Sequence, residues 1–457
     1  MFSRKGFLFF AVLLLVFAGE TAAGPNANSV PDVTPSPDFD GDGVVGIPDF
    51  LLFVDRFGTM RGDGKYEARY DLDDNGVIGV SDFLIFVDNF GQEVPPSDRG
   101  GSGEVVAIPD GNLRAVVEES LGKASGVPIT GTEMANLTRL EAPAKTIADL
   151  TGLECATNLT QIYLQNNNIS DVSPLSNLTD LTHLYLQGND LSDVSPLSHL
   201  TNMIQLSLAR NSISDVSPLS NLTNVRQLFL PNNNISDVSP LSNLNNLKLL
   251  YLQNNSISDI SALSNLNSLT HLYLQGNGIS DVSPLSNLTN LMQLFLQDNN
   301  ISDISLLSNL TNLTQLSLVQ NRVSNISALS NLTNVRQLFL QNNNISDVSL
   351  LSNLTNLIRL SLHNNHLTDV SSLSNLTALT RLSLHTNNIS DVSALSNLTN
   401  LKQLFLHTNR ISDLASLVAN TGLDTGDMVD VRNNPLSATS ISTHIPALQS
   451  RGVTVQF

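Results

Sequence analysis

The chain has no tryptophan and a single cysteine in 457 residues, and only 5% of its residues are aromatic. One thiol, Cys155, excludes an intrachain disulfide, so stability has to come from packing or bound metal. Basic residues are scarce as well. Against 41 Asp and Glu stand 22 Lys and Arg, a formal net charge of −19, which argues against nucleic acid as a partner. Long apolar runs are missing except at the start, where Arg4 and Lys5 precede the run Gly6 to Ala18 and the small residues Thr21-Ala22-Ala23. That is the layout of a secretory signal peptide over residues 1–23. The alternative, an uncleaved anchor, falls short of the ~20 apolar residues a spanning helix needs. The expected product is a secreted, extracellular or cell-surface protein with no membrane span after signal cleavage.

What the chain has in abundance is leucine on a fixed period. An asparagine in the frame Leu-x-Leu-x-x-Asn-x-Ile recurs every 22 residues, twelve times from Asn167 to Asn409. Its first occurrence reads Ile162-Tyr163-Leu164-Gln165-Asn166-Asn167-Asn168-Ile169, followed by Ser170-Asp171-Val172-Ser173-Pro174-Leu175-Ser176-Asn177-Leu178. Alternation sends Ile162 and Leu164 inward and Gln161, Tyr163 and Gln165 outward; Ile169, Val172, Leu175 and Leu178 return to the same core. One short strand cannot fold alone, so the units must stack strand on strand in parallel. The Asn column reads as structural, an amide serving buried turn backbone. Ser173 before Pro174 reads as an N-cap ahead of a short 3₁₀ turn, and the Asp column that starts at Asp171 as solvated caps.

Segments around this array divide the chain further. Residues 24–37 and 92–103, rich in Pro, Gly and Ser, read as linkers on either side of a duplicated unit at 38–91. Residues 104–136 hold Leu113, Val116, Val117 and Leu121 at helical spacing between Asp110 and Gly122, an amphipathic cap for the first layer. The repeats are expected over 137–417, beginning with a worn unit carried by Leu140, Ala142, Ile147 and Leu153. Residues 418–457 hold a last unit, Val429-Asp430-Val431-Arg432-Asn433-Asn434-Pro435-Leu436, with three residues inserted, and a closing strand at Val453 to Phe457.

The 22-residue unit with its Ile-Ser-Asp-Val-Ser-Pro-Leu-Ser-Asn-Leu-Thr segment, and the cap beginning Ile108-Pro109-Asp110, resemble the leucine-rich repeats of the internalin type. The resemblance covers about Glu104 to Phe457. It implies a solenoid of horseshoe form, with parallel strands on a concave face and an irregular, 3₁₀-rich convex side. It also implies a secreted or surface protein whose concave face binds a protein partner.

The outward strand column supplies candidate contacts: Tyr163, Tyr185, Phe229, Tyr251, Tyr273, Phe295, Phe339 and Phe405, interrupted by Ser207, Ser317, Ser361 and Ser383. Exposed rings at this density suit a protein interface, and glycans stack on them too; equally, neighbouring rings could support one another across the sheet. An adjoining column changes from Gln to His363, His385 and His407, with Arg359 and Arg381 beside it. Three imidazoles one strand apart could hold a metal, but an open ladder lacks convergent ligands, so a polar, pH-sensitive part of the binding face is expected instead. No nucleophile–base pair departs from the repeat columns, and no enzyme is expected.

The unit at 38–91 carries different chemistry. Asp38-Phe39-Asp40-Gly41-Asp42-Gly43 leads to Asp49 at loop position twelve, and Asp71-Leu72-Asp73-Asp74-Asn75-Gly76 leads to Asp82 at the same place. Oxygens at positions one, three, five and twelve, a backbone carbonyl at seven from Val44 or Val77, and glycine at six are what Ca²⁺ coordination requires. Two calcium sites are expected, one from Asp38, Asp40, Asp42, Val44 and Asp49, the other from Asp71, Asp73, Asn75, Val77 and Asp82. An apolar helix follows each loop. These half-hands resemble dockerins, small α-helical modules of EF-hand type. That resemblance implies a cohesin-type scaffold as a possible second partner, and hence a non-catalytic component of an extracellular polysaccharide-degrading assembly as an alternative function. Loop positions ten and eleven, Ile47-Pro48 and Val80-Ser81, depart from the usual Ser/Thr pair.

Overall fold

The computed structural model describes residues 37–39, 44–73, 75–92 and 105–457. The signal peptide, nearly all of both linkers, and Asp40 and Asp42 of the first acidic loop lie outside the described residues. The chain divides into two compact units. One takes the described residues up to Val106 together with Gly126–Asn136, and the other takes Ala107–Ser125 with Leu137–Phe457.

The smaller unit is built on two helices, α1 (Ile47–Arg56) and α2 (Val80–Asn89). Each opens on a glycine whose N–H donates to the carboxylate three residues on, Gly46 to Asp49 Oδ2 at 2.7 Å and Gly79 to Asp82 Oδ2 at 2.8 Å. Position twelve of each loop therefore also caps a helix. The loops pair crosswise with the chain that follows the opposite helix. Gly58 and Thr59, after α1, exchange hydrogen bonds with Ile78 at 2.7 and 2.8 Å; Gly91 and Gln92, after α2, do the same with Val45 at 2.8 and 3.1 Å. Val45, Ile78, Phe53 and Phe86 are fully buried in the resulting core, and the last two rings stack at 5.7 Å. The sequence duplication is thus a structural one.

In the larger unit, α3 (Gly111–Ser120) precedes fifteen three-residue strands, β1 (Arg139–Glu141) to β15 (Thr454–Gln456), which form one parallel sheet in chain order. Register follows the 22-residue period: Leu140 sits beside Ile162 and Tyr163 beside Tyr185. The middle residue of each strand points inward. Ile162, Leu164, Ile169, Val172, Leu175 and Leu178 are at most 1% exposed, and their counterparts in the repeats that follow at most 3%. Side chains of this size contribute about 1.5–3 kcal/mol each when removed from water, so the continuous layer is the main source of stability.

The asparagine column holds the turn. Asn167 Oδ1 accepts from the Lys145 and Ile147 N–H groups at 2.9 and 3.0 Å, while its Nδ2 donates to Ala142 O and Leu164 O at 2.8 and 2.9 Å. Each rung ties one repeat to the one before, and the ladder persists through the three-residue insertion, where Asn434 accepts from Ile411 N at 3.0 Å. The residue before each rung adopts a left-handed conformation, filled by Asn166 or Gly188 but also by Thr386 and Thr408. On the returning side, 3₁₀ turns run from Ser173–Leu175 onward. Here the expected cap is corrected: Ser173 is the first residue of the turn rather than its cap. Asp171 caps it, accepting from Ser173 N and Oγ, both at 2.8 Å. A carboxylate two residues upstream offers two acceptors where a serine hydroxyl offers one site.

Asp110 caps α3 as its place in the sequence suggests. Asp110 accepts from the N–H groups of Asn112 and Leu113, and its second oxygen accepts from Ala148 at 2.8 Å, joining α3 to the first repeat. At the other end α6 (Ile445–Ser450), after α4 (Gly131–Met134) and α5 (Ala415–Ala419) in chain order, precedes the closing strand β15.

Candidate functional site

Alternation on three-residue strands leaves two side-chain columns per rung on the outer face of the sheet. Tyr163, Tyr185, Phe229, Tyr251, Tyr273, Phe295, Phe339 and Phe405 are all half-buried there. Six of them pack ring on ring: Tyr163–Tyr185 at 4.7 Å, and Phe229–Tyr251–Tyr273–Phe295 at 4.9, 4.1 and 4.7 Å between centroids, the first of these three pairs tilted and the rest stacked. Burial in the stack raises the Tyr185 and Tyr273 hydroxyl pKa values, in each case with a neighbouring tyrosine adding to the shift. The rings therefore support the sheet and present two runs of apolar edge to solvent, 163–185 and 229–295.

A companion column escapes a reading of the aromatics alone. Gln165, Gln187, Gln253, Gln275, Gln297 and Gln341 each follow a ring by two residues, and each has a buried Oε1 with no hydrogen-bond partner. The signal was present in the sequence. Where the ring gives way to Ser207 or Ser317, the glutamine gives way to Ala209 or Val319. The match is not complete, since Phe229 is followed by Pro231 and Phe405 by His407.

Towards the C-terminal end the pattern breaks differently. Ser361 and Ser383, on adjacent strands β11 (Arg359–Ser361) and β12 (Arg381–Ser383), leave a gap between Phe339 and Phe405. The cavity there has a volume of about 490 Å³ and is bordered by Arg359 and Arg381 on one side and His363, His385 and His407 on the other. The three imidazoles stack face to face at 4.1 and 4.2 Å instead of converging. Burial, followed by the charge of His407, lowers the His363 pKa; burial, His363 and His407 together bring His385 down to about 4, against a small opposing effect of Asp430. Asp430 closes the end of the gap, and Arg432 clamps it through Nε at 2.9 Å and Nη2 at 2.6 Å. Burial alone would raise the Asp430 pKa, but the bonds from Arg432 outweigh it and the net shift is downward.

In the smaller unit, Asp71, Asp73 and Asp82 bring carboxylate oxygens within 4.8 Å of one another, with Asp71 and Asp82 buried and Asp73 exposed. Backbone holds the trio in place: Asn75 N and Gly76 N donate to Asp71, and Asp73 N donates to Asp82 Oδ1 at 3.1 Å. Burial raises the Asp82 pKa to about 6, with Gly79 and Asp73 N–H bonds opposing and the nearby Asp73 and Asp71 charges adding. Asn75 Oδ1 is turned to its own loop, accepting from Val77 N at 2.8 Å. In the first loop Asp49 is buried and accepts from Phe39 N at 2.6 Å.

Both helices of the smaller unit carry an exposed apolar surface. Ile47 and Leu51 on α1 are 56% and 64% exposed, and their counterparts Val80 and Leu84 on α2 are 45% and 58% exposed. Among the described residues no helix is long and apolar enough to cross a membrane.

Comparison with known proteins places the array. A family model of leucine-rich repeats in two copies matches residues 157–199, 179–221, 201–243, 223–265, 245–287, 333–375 and 377–419. An internalin, InlF of Listeria monocytogenes, is similar at 34% identity over 77% of this chain and 96% of that one, with a TM-score of 0.62. A leucine-rich repeat protein of Leptospira interrogans shares the fold at 22% identity, over 72% of this chain and 97% of that one, with a TM-score of 0.62. The plant peptide hormone receptor RGFR1, solved in complex with RGF2, is 25% identical over 67% of this chain and 53% of its own length, with a TM-score of 0.59. No curated protein matches the chain. With its unbroken period, its parallel register and its internalin relative, the chain belongs to the leucine-rich repeat family, of the internalin type.

Proposed function

We propose that this is an extracellular recognition protein whose strand face binds a protein partner, and that it is not an enzyme. The observation that carries the reading is the row of half-exposed, mutually stacked rings, above all Phe229–Tyr251–Tyr273–Phe295. Rings fixed by their neighbours lose little entropy on binding and offer broad apolar contact. Similarity to an internalin, and to a peptide hormone receptor solved with its ligand, supports the same use of the fold. Among the described residues no catalytic constellation stands out: Ser361 Oγ lies 2.9 Å from His363 Nδ1, yet Ser361 is buried and no carboxylate bonds the ring. Affinity capture from extracellular material with the native protein, alongside a variant carrying Tyr163, Tyr185, Tyr251 and Tyr273 changed to Ala, tests the proposal. Equal capture by both removes the aromatic face as the site.

A second reading concerns the smaller unit, which we take as a calcium-binding docking module of dockerin type. The donor chemistry of the second loop fits the cation: three hard carboxylates share one small space, two of them buried, and a divalent ion would offset their repulsion. Asp71, Asp73 and Asp82 would hold it, with Asn75 and the Val77 carbonyl completing the set by position in the loop. Matched exposed pairs, Ile47 with Leu51 and Val80 with Leu84, offer two equivalent apolar contacts to a scaffold of cohesin type. On this view the chain is a non-catalytic member of an extracellular assembly, and a glycan is an alternative ligand of the rings. Immobilised cohesins retaining the protein with calcium and releasing it with EDTA would favour the docking role; retention by Leu51→Asp/Leu84→Asp would exclude these helix faces.

A further inference from the structure

We infer that the gap between Phe339 and Phe405 seats an aspartate or glutamate side chain of the protein partner. The inference rests on the strand-face reading and names what one part of that face selects. Two missing rings leave Phe339 and Phe405 three strand spacings apart, roughly 14 Å, room for a side chain and the backbone that carries it. Around it the charge runs against that of the molecule. In a chain of net charge −19, Arg359 and Arg381 stand side by side in register on β11 and β12, and both are exposed. The carboxylate nearest to hand, Asp430, is already bound at both oxygens by Arg432 and cannot neutralise them.

The two guanidinium groups are prepared to different degrees. Arg381 donates from Nη1 to Gln403 Oε1 at 2.7 Å and lies 5.1 Å from the centroid of Phe405, which fixes its plane. Arg359 has no side-chain bond among the described residues. A planar fork held against a ring, beside a second unengaged fork, is an arrangement for bidentate capture of a carboxylate. It also occupies the Phe405 face on which a sugar would stack, which favours an acidic peptide over a glycan. From the opposite wall come further donors. His363, His385 and His407 each have Nδ1 within 3.3 Å of a hydroxyl, of Ser361, Thr386 and Thr408 respectively. With those hydroxyls donating to Nδ1, each neutral ring carries its proton on Nε2, which has no partner among the described residues.

Isothermal titration of the full-length protein at 150 mM salt with hexaglutamate, hexaglutamine and a galacturonic acid hexamer tests this. Hexaglutamate binds although the net charge of the protein repels it, hexaglutamine does not, and Arg359→Gln/Arg381→Gln weakens binding at least tenfold. Ser361→Phe/Ser383→Phe, which restores the ladder and closes the gap, abolishes it. Because both arginines are exposed, an unchanged melting temperature confirms that the first variant is folded. Absence of hexaglutamate binding, equal binding by the arginine variant, or binding of the galacturonic acid hexamer alone would overturn the inference. Capture that depends on the tyrosines while hexaglutamate fails would remove the carboxylate seat and leave the strand-face reading standing; hexaglutamate binding with tyrosine-independent capture would do the reverse.

Discussion

Replacing one rung of the asparagine ladder, Asn343→Ala, isolates the force that fixes the turn. Asn343 is 6% exposed; its Oδ1 accepts from Val323 N at 2.9 Å, and its Nδ2 donates to Leu318 O and Leu340 O at 2.8 and 3.1 Å. Truncation strands one N–H and two carbonyls of buried backbone, at about 1–3 kcal/mol each with the carbonyls at the low end, so the expected loss is about 3–5 kcal/mol. Urea unfolding of the full-length protein, followed by far-UV circular dichroism, measures it. Because each repeat touches only its neighbours, hydrogen exchange should accelerate around Val323 and Ile345 and stay unchanged near Ile169. Asn344→Ala, an exposed neighbour, should cost less than ~0.5 kcal/mol. Asn343→Asp keeps the acceptor for Val323 but sets a second oxygen against two carbonyls. Its folded pKa is therefore raised, so it is best tolerated below about pH 4 and loses stability as pH rises. A loss under ~1 kcal/mol for Asn343→Ala, or an equal effect from Asn344→Ala, would refute the argument that the amide holds buried backbone.

Three further outcomes follow from other parts of the molecule. Removing calcium with EDTA should lower the melting of the smaller unit, by roughly 2.7 kcal/mol of stability if the ion stood at a hundred times its dissociation constant, and Asp71→Asn/Asp82→Asn should erase the response; melting that ignores EDTA excludes the metal. In a proton NMR titration, His385 should titrate near pH 4 and His363 below the ordinary histidine range. Depressed histidines favour the fold above the unfolded value of ~6.5 and withdraw that contribution as pH falls, so the array should weaken between about pH 6.5 and 4, less so in His385→Gln. Gly188 sits at φ 71°, where a Cβ would lie 2.5 Å from Asn166 Oδ1. Gly188→Ala should cost ~1 kcal/mol in thermal melting, whereas Gly188→Asn should be near neutral, because Asn232 and Asn254 occupy successive places of this kind and bond side chain to side chain at 2.9 Å.

Much of the array was legible because a period of 22 residues admits one register. Once Ile162 and Leu164 point inward, Leu184 and Leu186 must as well, and the sheet, the core and the asparagine rungs follow without further information. Asp110 as a helix cap and the acidic trio of the second loop were legible for a local reason: their ligands lie within a dozen residues of one another. What sequence reasoning missed depends on competition or on exposure. Ser173 lost the cap to Asp171, which places two acceptors on the same N–H and hydroxyl. The runs Phe50 to Val54 and Phe83 to Val87 read as apolar helices without saying which side is covered, and ten-residue helices have two sides. Phe53 and Phe86 fill the interior and leave Leu51 and Leu84 outside.

Mutual support of the rings across the sheet and the proposed binding role are compatible uses of the aromatic column. Stacking at 4.1–4.9 Å covers the faces of Tyr251 and Tyr273 and leaves their edges, so a partner meets a stiff apolar ridge of little chemical distinction. Such a ridge supplies area, and area alone discriminates poorly between partners. Selectivity must then arise where the ridge stops. The breaks at Ser207 and Ser317 are one strand wide and backed by Ala209 and Val319, which carry no donor or charge. The break at Ser361 and Ser383 is two strands wide and is bordered by two arginines and three imidazoles. An acidic group that misses this gap leaves its charge facing a protein of net −19, and one that enters it meets fixed donors. If the gap seats a carboxylate as proposed, the interruption, more than the ladder, sets how a partner lies along the sheet.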